Sequence, residues 1–344
     1  MSSNKTSTIA SLGEFGLIDR LTNNINLKNT STFLGVGDDC AIIDLNEKES
    51  FLITTDLLVE GVHFNLMYVP LKHLGYKAVA INVSDICAMN GRAEQITVSI
   101  AASSKFPVEA LDELYAGINL ACDAFHVDLV GGDMSSAIAG LTISINAIGR
   151  VDKNKVTLRS GANLNDIVLV TGSLGASYMG LQILERENEV FKVNPSLQPL
   201  LDGYDELIQR QLMPEARHDM IDLLAELDVV PTSMIDISDG LASDIFHLCE
   251  KSNLGCELFQ DKIPMDDKTK LTALEFNMSP VTCALNGGED YELLFTVKQA
   301  DFDKIVGNPN FTPIGYMTSK EDGRNLVAAS GELIPLTAQG WKIN

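Results

Sequence analysis

The apolar positions fall into two series of alternating short and long runs. In the first series, residues 51–55, 96–101, 127–130 and 141–148 are short stretches rich in β-branched or apolar side chains, which predicts strands. Between them lie helical patterns. Leu111, Leu114, Ile118, Ala121 and Phe125 recur at helical spacing within 107–126, with Pro107 near the helix start. Residues 71–90 also read as a helix, stopped by Asn90-Gly91, and on it Asn82 and Asp85 are three apart and share a face. The second series begins after Arg150. Residues 167–171 predict a strand, followed by Gly172-Ser173-Leu174-Gly175 and a helix, whereas 181–206 is polar and interrupted. A helix is expected over 219–227 and a strand over 233–237. That strand runs into Ser238, which reads as the N-cap of a helix from 239 to 252. Apolar stretches at 282–285 and 292–297 flank Gly287-Gly288-Glu289-Asp290. Strands and helices mix in both halves, so the expected fold class is α/β (α+β) in two domains, 1–150 and 151–344.

At 344 residues the chain is long enough for two cores. Its formal net charge of −22 excludes nucleic acid and an anionic membrane surface as partners, since both need a basic patch. No uninterrupted apolar run is long enough to span a bilayer, and the polar N-terminus has no apolar signal core behind it. The six cysteines include no CxxC pair, and several lie in apolar stretches. They read as buried free thiols in a reducing, cytoplasmic compartment.

Against that acidic background, six short motifs stand out, most of them at the ends of apolar runs. They are Gly37-Asp38-Asp39, Thr54-Thr55-Asp56, Asn82-x-x-Asp85, Gly131-Gly132-Asp133, Asp236-Ile237-Ser238-Asp239-Gly240 and Gly287-Gly288-Glu289-Asp290. Carboxylates with small neighbours at strand ends suit Mg²⁺, which takes oxygen ligands and shares its shell with phosphates and water. Each alone also reads as a turn or a capping Asp; together they predict several Mg²⁺ ions around a polyphosphate. The P-loop pattern and the protein-kinase motif set are both absent. Gly172-x-x-Gly175 lacks the full dinucleotide fingerprint and reads as a tight turn. His63 follows the Thr-Thr-Asp motif closely enough to reach the same site. Trp341, the only tryptophan, is either a packing anchor or a stacking platform for a flat or cationic ring.

The chain resembles the thiamine-monophosphate kinase family, within the superfamily of aminoimidazole-ribonucleotide synthetases. The resemblance rests on Gly13-Glu14-Phe15, Gly35-Val36-Gly37-Asp38-Asp39-Cys40-Ala41, Thr55-Asp56, Gly61-x-His63-Phe64, Lys77-Ala78-x-Ala80-x-Asn82-x-Ser84-Asp85, Gly131-Gly132-Asp133, Thr157-x-Arg159-Ser160-Gly161-Ala162, Asp236-x-Ser238-Asp239-Gly240-Leu241 and Gly287-Gly288-Glu289-Asp290-Tyr291-Glu292-Leu293. It implies an aminoimidazole-ribonucleotide synthetase-like fold of two domains, the N-terminal one pairing with its mate in a homodimer through a barrel-like sheet interface. It implies ATP and thiamine monophosphate as substrates and Mg²⁺ as cofactor. By position, Asp39, Thr54, Thr55, Asp56, Asp85, Asp133, Asp236 and Asp239 correspond to metal ligands. Gly132, Asp133, Arg159 and Ser238 correspond to ATP-binding positions, and His63, Glu289 and Trp341 to substrate positions. Two departures stand out: Thr54 replaces a Ser common in relatives, and Met134-Ser135 replaces Thr-Thr after Gly-Gly-Asp.

Rival readings remain. Met1–Gly37 holds no Cys, against a selenophosphate synthetase, and the start and the Gly-Gly-Glu-Asp motif suit an aminoimidazole-ribonucleotide synthetase poorly. A non-catalytic nucleotide-binding scaffold is the alternative from another class, and turnover separates it from an enzyme.

Overall fold

The structure, a computed structural model, describes the backbone of residues 9–338 and the side chains from residue 16 onward. Trp341 therefore lies outside the described residues, as do the side chains of Gly13-Glu14-Phe15. A six-stranded sheet comprises β1 (Thr32–Leu34), β2 (Ala41–Asp44), β3 (Glu49–Val59), β4 (Arg92–Ser103), β5 (Asp128–Ala137) and β6 (Leu141–Asp152), in the order β1-β2-β3-β6-β4-β5. Only the β4–β5 pairing is parallel. A seven-stranded sheet comprises β7 (Ile167–Thr171), β8 (Ser233–Asp236), β9 (Gly255–Phe259), β10 (Leu293–Val297), β11 (Phe311–Thr318), β12 (Arg324–Val327) and β13 (Leu333–Pro335). Its order is β13-β12-β9-β11-β7-β10-β8.

The helices used below are α1 (Ile9–Thr22), α2 (Leu71–Ala88), α3 (Val108–Phe125), α4 (Ala176–Val193), α5 (Asp205–Leu212), α6 (His218–Glu226) and α7 (Leu241–Ser252). The element that organises the molecule is α2. It packs on β3, β4 and β6 on one side, on α3 on another and on β8 of the second sheet. Leu74 to Ser84 are buried without interruption, as are Ile86, Cys87 and Ala88. A helix covered on several sides needs no polar face, so its apolar pattern runs nearly all round.

The second sheet alternates between two cores, as a period-two strand must. Leu169, Met234, Leu293 and Phe295 join the core shared with α2 and the first sheet. Val168, Val170, Ile235 and Leu294 join a separate core with α7.

The α2–α3 crossing is close enough that a Cβ on Gly117 would stand 1.8 Å from Lys72 O. Gly117→Ala should push the two helices apart and cost roughly 1–3 kcal/mol, the usual price of overpacking. A melting temperature within error of the parent would show that the crossing yields without strain.

Three expectations need correction. The strand read at 127–130 continues to Ala137, so Gly131-Gly132-Asp133 sits inside β5 and not at its end. The segment 181–206 is interrupted only in its second half: α4 runs unbroken to Val193, burying Met179, Gly180, Ile183, Leu184, Glu187 and Asn188, and residues 194–204 are irregular before α5. The helix expected from 239 begins at Leu241 with Gly240 at the N-cap, because Ser238 O is already taken by the Glu289 N–H at 2.8 Å. The cap is supplied from within the helix, where Asp244 Oδ2 accepts the Gly240 N–H at 3.1 Å.

Candidate active site

The polar residues of α2 tie the two sheets together. Toward β3, Asp85 Oδ2 accepts the Thr54 hydroxyl at 2.5 Å, and Asn82 Oδ1 accepts the Asp56 N–H at 3.2 Å. Toward β8, the Ser84 hydroxyl donates to Asp236 Oδ2 at 2.6 Å. Ser84 and Asp85, adjacent on one buried helix, thus each bond to a strand of a different sheet, Ser84 to the Asp236 carboxylate and Asp85 to the Thr54 hydroxyl. Asp39 arrives from the loop before β2, and one carboxylate oxygen from each of Asp39, Asp85 and Asp236 lies within 4.8 Å of the others.

A single guanidinium faces this group. Arg159 binds Asp39 through both arms, Nη2 to Oδ1 at 2.6 Å and Nε to Oδ2 at 3.2 Å, and its main-chain N–H meets both oxygens of Asp38 at 3.2 Å. One cation does not offset so many acids. Burial pushes the Asp236 carboxyl up to about 7, with Asp39 adding to it. Burial likewise pushes Asp56 up to about 6, and burial with Asp39 raises Asp38 to about 6. Asp85 is held well above the usual carboxylate range by burial and by Asp56, Asp236 and Asp39. Buried carboxylates short of positive charge are the donor set a hard divalent cation takes, so the residues fit Mg²⁺.

A cavity of about 370 Å³ opens over the cluster, lined by Asp39, Thr54, Thr55, Asp56, His63, Asp85, Arg159, Ser238, Asp239 and Glu289 among others. Ten of the positions singled out in the sequence therefore share one space with Asp236 behind them. Thr55 alternates away from Thr54 and Asp56 along β3, and its hydroxyl stands 3.5 Å from that of Ser144. Gly132 and Asp133 are not among the lining residues; they stand exposed on β5, the edge of the first sheet. A Cβ at Gly132 would lie 1.9 Å from Val98 O, so this position also answers a close strand approach.

Two further cavities adjoin. One of about 510 Å³ shares His63, Ser238, Asp239 and Glu289 and adds Phe64, Tyr68, Tyr178 and Glu185. The other, about 620 Å³, shares Arg159 and His247 and adds Ile18, Ile25, Leu27, Val36 and Lys251. The first is aromatic and acidic; the second is aliphatic, with Arg159 and Lys251 set among Asp19, Asp38 and Glu250. His63 Nδ1 accepts the Val59 N–H at 3.0 Å, which leaves Nε2 as the protonated nitrogen of the neutral ring.

The Gly287–Glu292 loop is pinned to the strand end beside Asp236. Besides the Glu289–Ser238 bond, the Tyr291 N–H donates to Ile237 O at 2.9 Å. Glu289 and Tyr291 hold positive φ angles of 58° and 53°. Asp290 reaches back to cap α4, accepting the Gly175 N–H at 2.8 Å, while its Oδ1 is buried without a partner. Burial pushes this carboxyl up to about 7. The folded-state value lies above the ~3.9 of an unfolded Asp, so its stabilising contribution is complete below that value and is lost as pH rises through about 7. The melting-temperature advantage of Asp290→Asn over the parent should therefore grow as pH rises from about 4 to about 7 and level off above that; an offset that does not change with pH would refute this.

Sequence reasoning passed over Asp244, which is fully buried and raised by its burial and by Asp239 and Asp236. Its only signal was a carboxylate in an apolar helix turn, Leu241-Ala242-Ser243-Asp244-Ile245. Lys77, Ser84 and Gln211 were likewise not assigned to the site, although each bonds to a residue that was.

Residues 37–151 match the family described as AIR synthase related protein, N-terminal domain. Over 331 residues the chain is 33% identical to the thiamine-monophosphate kinase of Aquifex aeolicus (strain VF5), covering 96% of this chain and 98% of that one. The chain belongs to the thiamine-monophosphate kinase family. The family's Escherichia coli K12 member is also 33% identical, over 340 residues, 96% of this chain and 97% of its own. The structure of AaThiL complexed with AMPPCP and TMP superposes with a TM-score of 0.82 at 31% identity, covering 99% of this chain and 100% of that one. The hydrogenase maturation protein HypE in complex with ATP, at 17% identity and a TM-score of 0.68 over 94% of this chain and 95% of that one, shares the fold. Family membership and the two-sheet α/β architecture thus agree with what the motifs implied.

Proposed function

We propose that the chain transfers the γ-phosphoryl group of ATP directly to the phosphate of thiamine monophosphate, giving ADP and thiamine diphosphate. The observation that carries this reading is the convergence of Asp39, Asp85 and Asp236, from three separate segments, beneath a cavity whose relatives include a kinase structure with AMPPCP and TMP. The bond from the β,γ-bridging oxygen to the γ-phosphorus breaks, and an acceptor phosphate oxygen forms the new one. That oxygen is already ionised near neutral pH, so no general base is needed and none is assigned. What remains is anion–anion repulsion and alignment. Asp39, Asp85 and Asp236, with Thr54, Asp56 and Asp239 beside them, would hold Mg²⁺, which would supply positive charge against that of the phosphates. Arg159, locked by Asp39, presents a fixed cation at the rim.

The aromatic, acid-lined cavity suits the cationic thiamine ring near His63 and Glu289, and the aliphatic one with Lys251 suits the nucleoside. Residues 1–150 form the nucleotide, metal and dimerisation part of this reading, and 151–344 the second domain. The open β5 edge, with Val130 and Met134 more than half exposed, supports a homodimer, since an unpaired edge strand needs a cover. A second copy across that edge would also give Gly132 and Asp133 a nucleotide-facing role. The six cysteines, all free and buried, support a reducing cytoplasmic setting.

The test is ADP release with thiamine monophosphate as acceptor; ATP binding without turnover would favour the scaffold reading. Within that assay, activity should require Mg²⁺ in excess of ATP. Full rate at one equivalent per ATP would overturn the multi-ion site.

A further inference from the structure

A buried lysine already answers the charge of Glu289. Lys77, on α2, places Nζ 2.9 Å from Glu289 Oε1, with the two side chains 7% and 29% exposed. The same ammonium donates to Gln211 O at 3.1 Å. Gln211 Nε2 donates to Glu289 Oε2 at 2.8 Å, and the Ser177 hydroxyl donates to Gln211 Oε1 at 2.5 Å. The serine thereby fixes the amide: Oε1 is occupied, and Nε2 is left to face the carboxylate. Each oxygen of Glu289 has one donor and retains acceptor capacity, and the residue lines the wall shared by the two cavities.

We propose that Lys77 is a positioning residue for the acceptor substrate: it cancels the charge of Glu289 and, with Gln211 and Ser177, holds that carboxylate as a directional hydrogen-bond acceptor for an amino or hydroxyl donor on the acceptor, not as a counter-ion to its cationic ring. This rests on the reading of Glu289 as an acceptor contact. The two roles differ in sign. A counter-ion masked by Lys77 would attract a cation more strongly once the lysine is removed. A positioned acceptor would lose its aim, because a freed glutamate can turn toward solvent.

Calorimetric titration of the full chain with thiamine monophosphate, together with KM values for both substrates, decides between them. Lys77→Met should raise the acceptor Kd and KM by about tenfold, the scale of one hydrogen bond to a charged group, and leave the ATP KM nearly unchanged. Lys77→Arg should restore part of the loss. Ser177→Ala keeps both charges and frees only the amide; it should weaken acceptor binding by a smaller factor with the same split. Unchanged or tighter acceptor binding in Lys77→Met overturns the inference, as does an equal shift in both KM values. If Lys77→Met does not fold, an unchanged acceptor Kd in Ser177→Ala overturns it. Failure of the parent chain to bind thiamine monophosphate would overturn the functional reading and this inference with it, whereas parental binding with unaffected variants would overturn this inference alone.

Discussion

Asp85→Asn lowers turnover by at least about a hundredfold, the loss that follows removal of one charge-stabilising group from a preorganised site. The substitution keeps the shape of the side chain. Asn Oδ1 still accepts the Thr54 hydroxyl that now reaches Asp85 Oδ2 at 2.5 Å. What disappears is one of three carboxylates, each with an oxygen within 4.8 Å of the others. Without a cation those groups repel: Asp56, Asp236 and Asp39 each raise the Asp85 carboxyl. The metal-free variant should thus melt at the parent's temperature or above it, while its rate at saturating ATP and Mg²⁺ collapses. Asp56→Asn should behave in the same way. The opposite pattern, an unfolded variant whose surviving fraction is fully active, would make Asp85 a structural bond to Thr54 and nothing more.

Most of this site was legible in the sequence because its chemistry is concentrated at strand ends, where a carboxylate interrupts an apolar run. Asp56 after the run at 51–55 and Asp236 after Ser233-Met234-Ile235 are of that kind. Asp85 was legible for a different reason, as an ionisable residue on an otherwise apolar helix. The pattern could not say that Ser84, one residue earlier, turns to the other sheet and holds Asp236. That follows only once α2 is known to be buried between two sheets.

The misread elements share a physical cause. β5 was cut short because Gly131-Gly132-Asp133-Met134-Ser135-Ser136 has neither the alternation nor the β-branched content of a half-buried strand, and in the fold nearly every one of its residues is exposed. The continuation of α4 was hidden because Glu187 and Asn188 lie on its buried face, where a polar residue dilutes the apolar stripe. The N-cap was misplaced at Ser238 because its local propensity was outweighed by a nonlocal bond from Glu289. Trp341, the least constrained assignment, lies outside the described residues.

Glu292→Gln should destabilise the fold by roughly 3–5 kcal/mol, the cost of breaking a buried ion pair from one side. Glu292 is only 1% exposed, yet it carries two guanidiniums: Arg210 Nη2 at 2.6 Å from Oε1 and Arg217 Nη1 at 2.5 Å from Oε2. The Thr171 hydroxyl donates to Oε2 at 2.6 Å and itself accepts the Leu293 N–H at 2.8 Å, so β7 and β10 are joined through the same carboxylate. Burial opposes the charges on Arg210 and Arg217, and the carboxylates around them outweigh it, Glu292 with Asp290 at Arg210 and Glu292 with Asp219 at Arg217. With a neutral amide in its place, both cations keep the burial and lose the compensation. Arg217 retains Asp219, at 3.0 Å, which places the expected loss toward the lower end of the range. The melting temperature should fall by roughly 4–7 °C. Adding Arg210→Met to Glu292→Gln should recover part of that loss, because the cation whose ion pair was with Glu292 is removed as well; the double variant should be more stable than the sum of the single effects predicts. The functional consequence follows from the loop that Glu292 terminates. Glu289 is three residues away and its carboxylate depends on the same backbone, so the acceptor KM should rise while the ATP KM does not. Additive single and double effects, or a melting temperature within about 2 °C of the parent, would show that the two arginines are solvated well enough to stand without it.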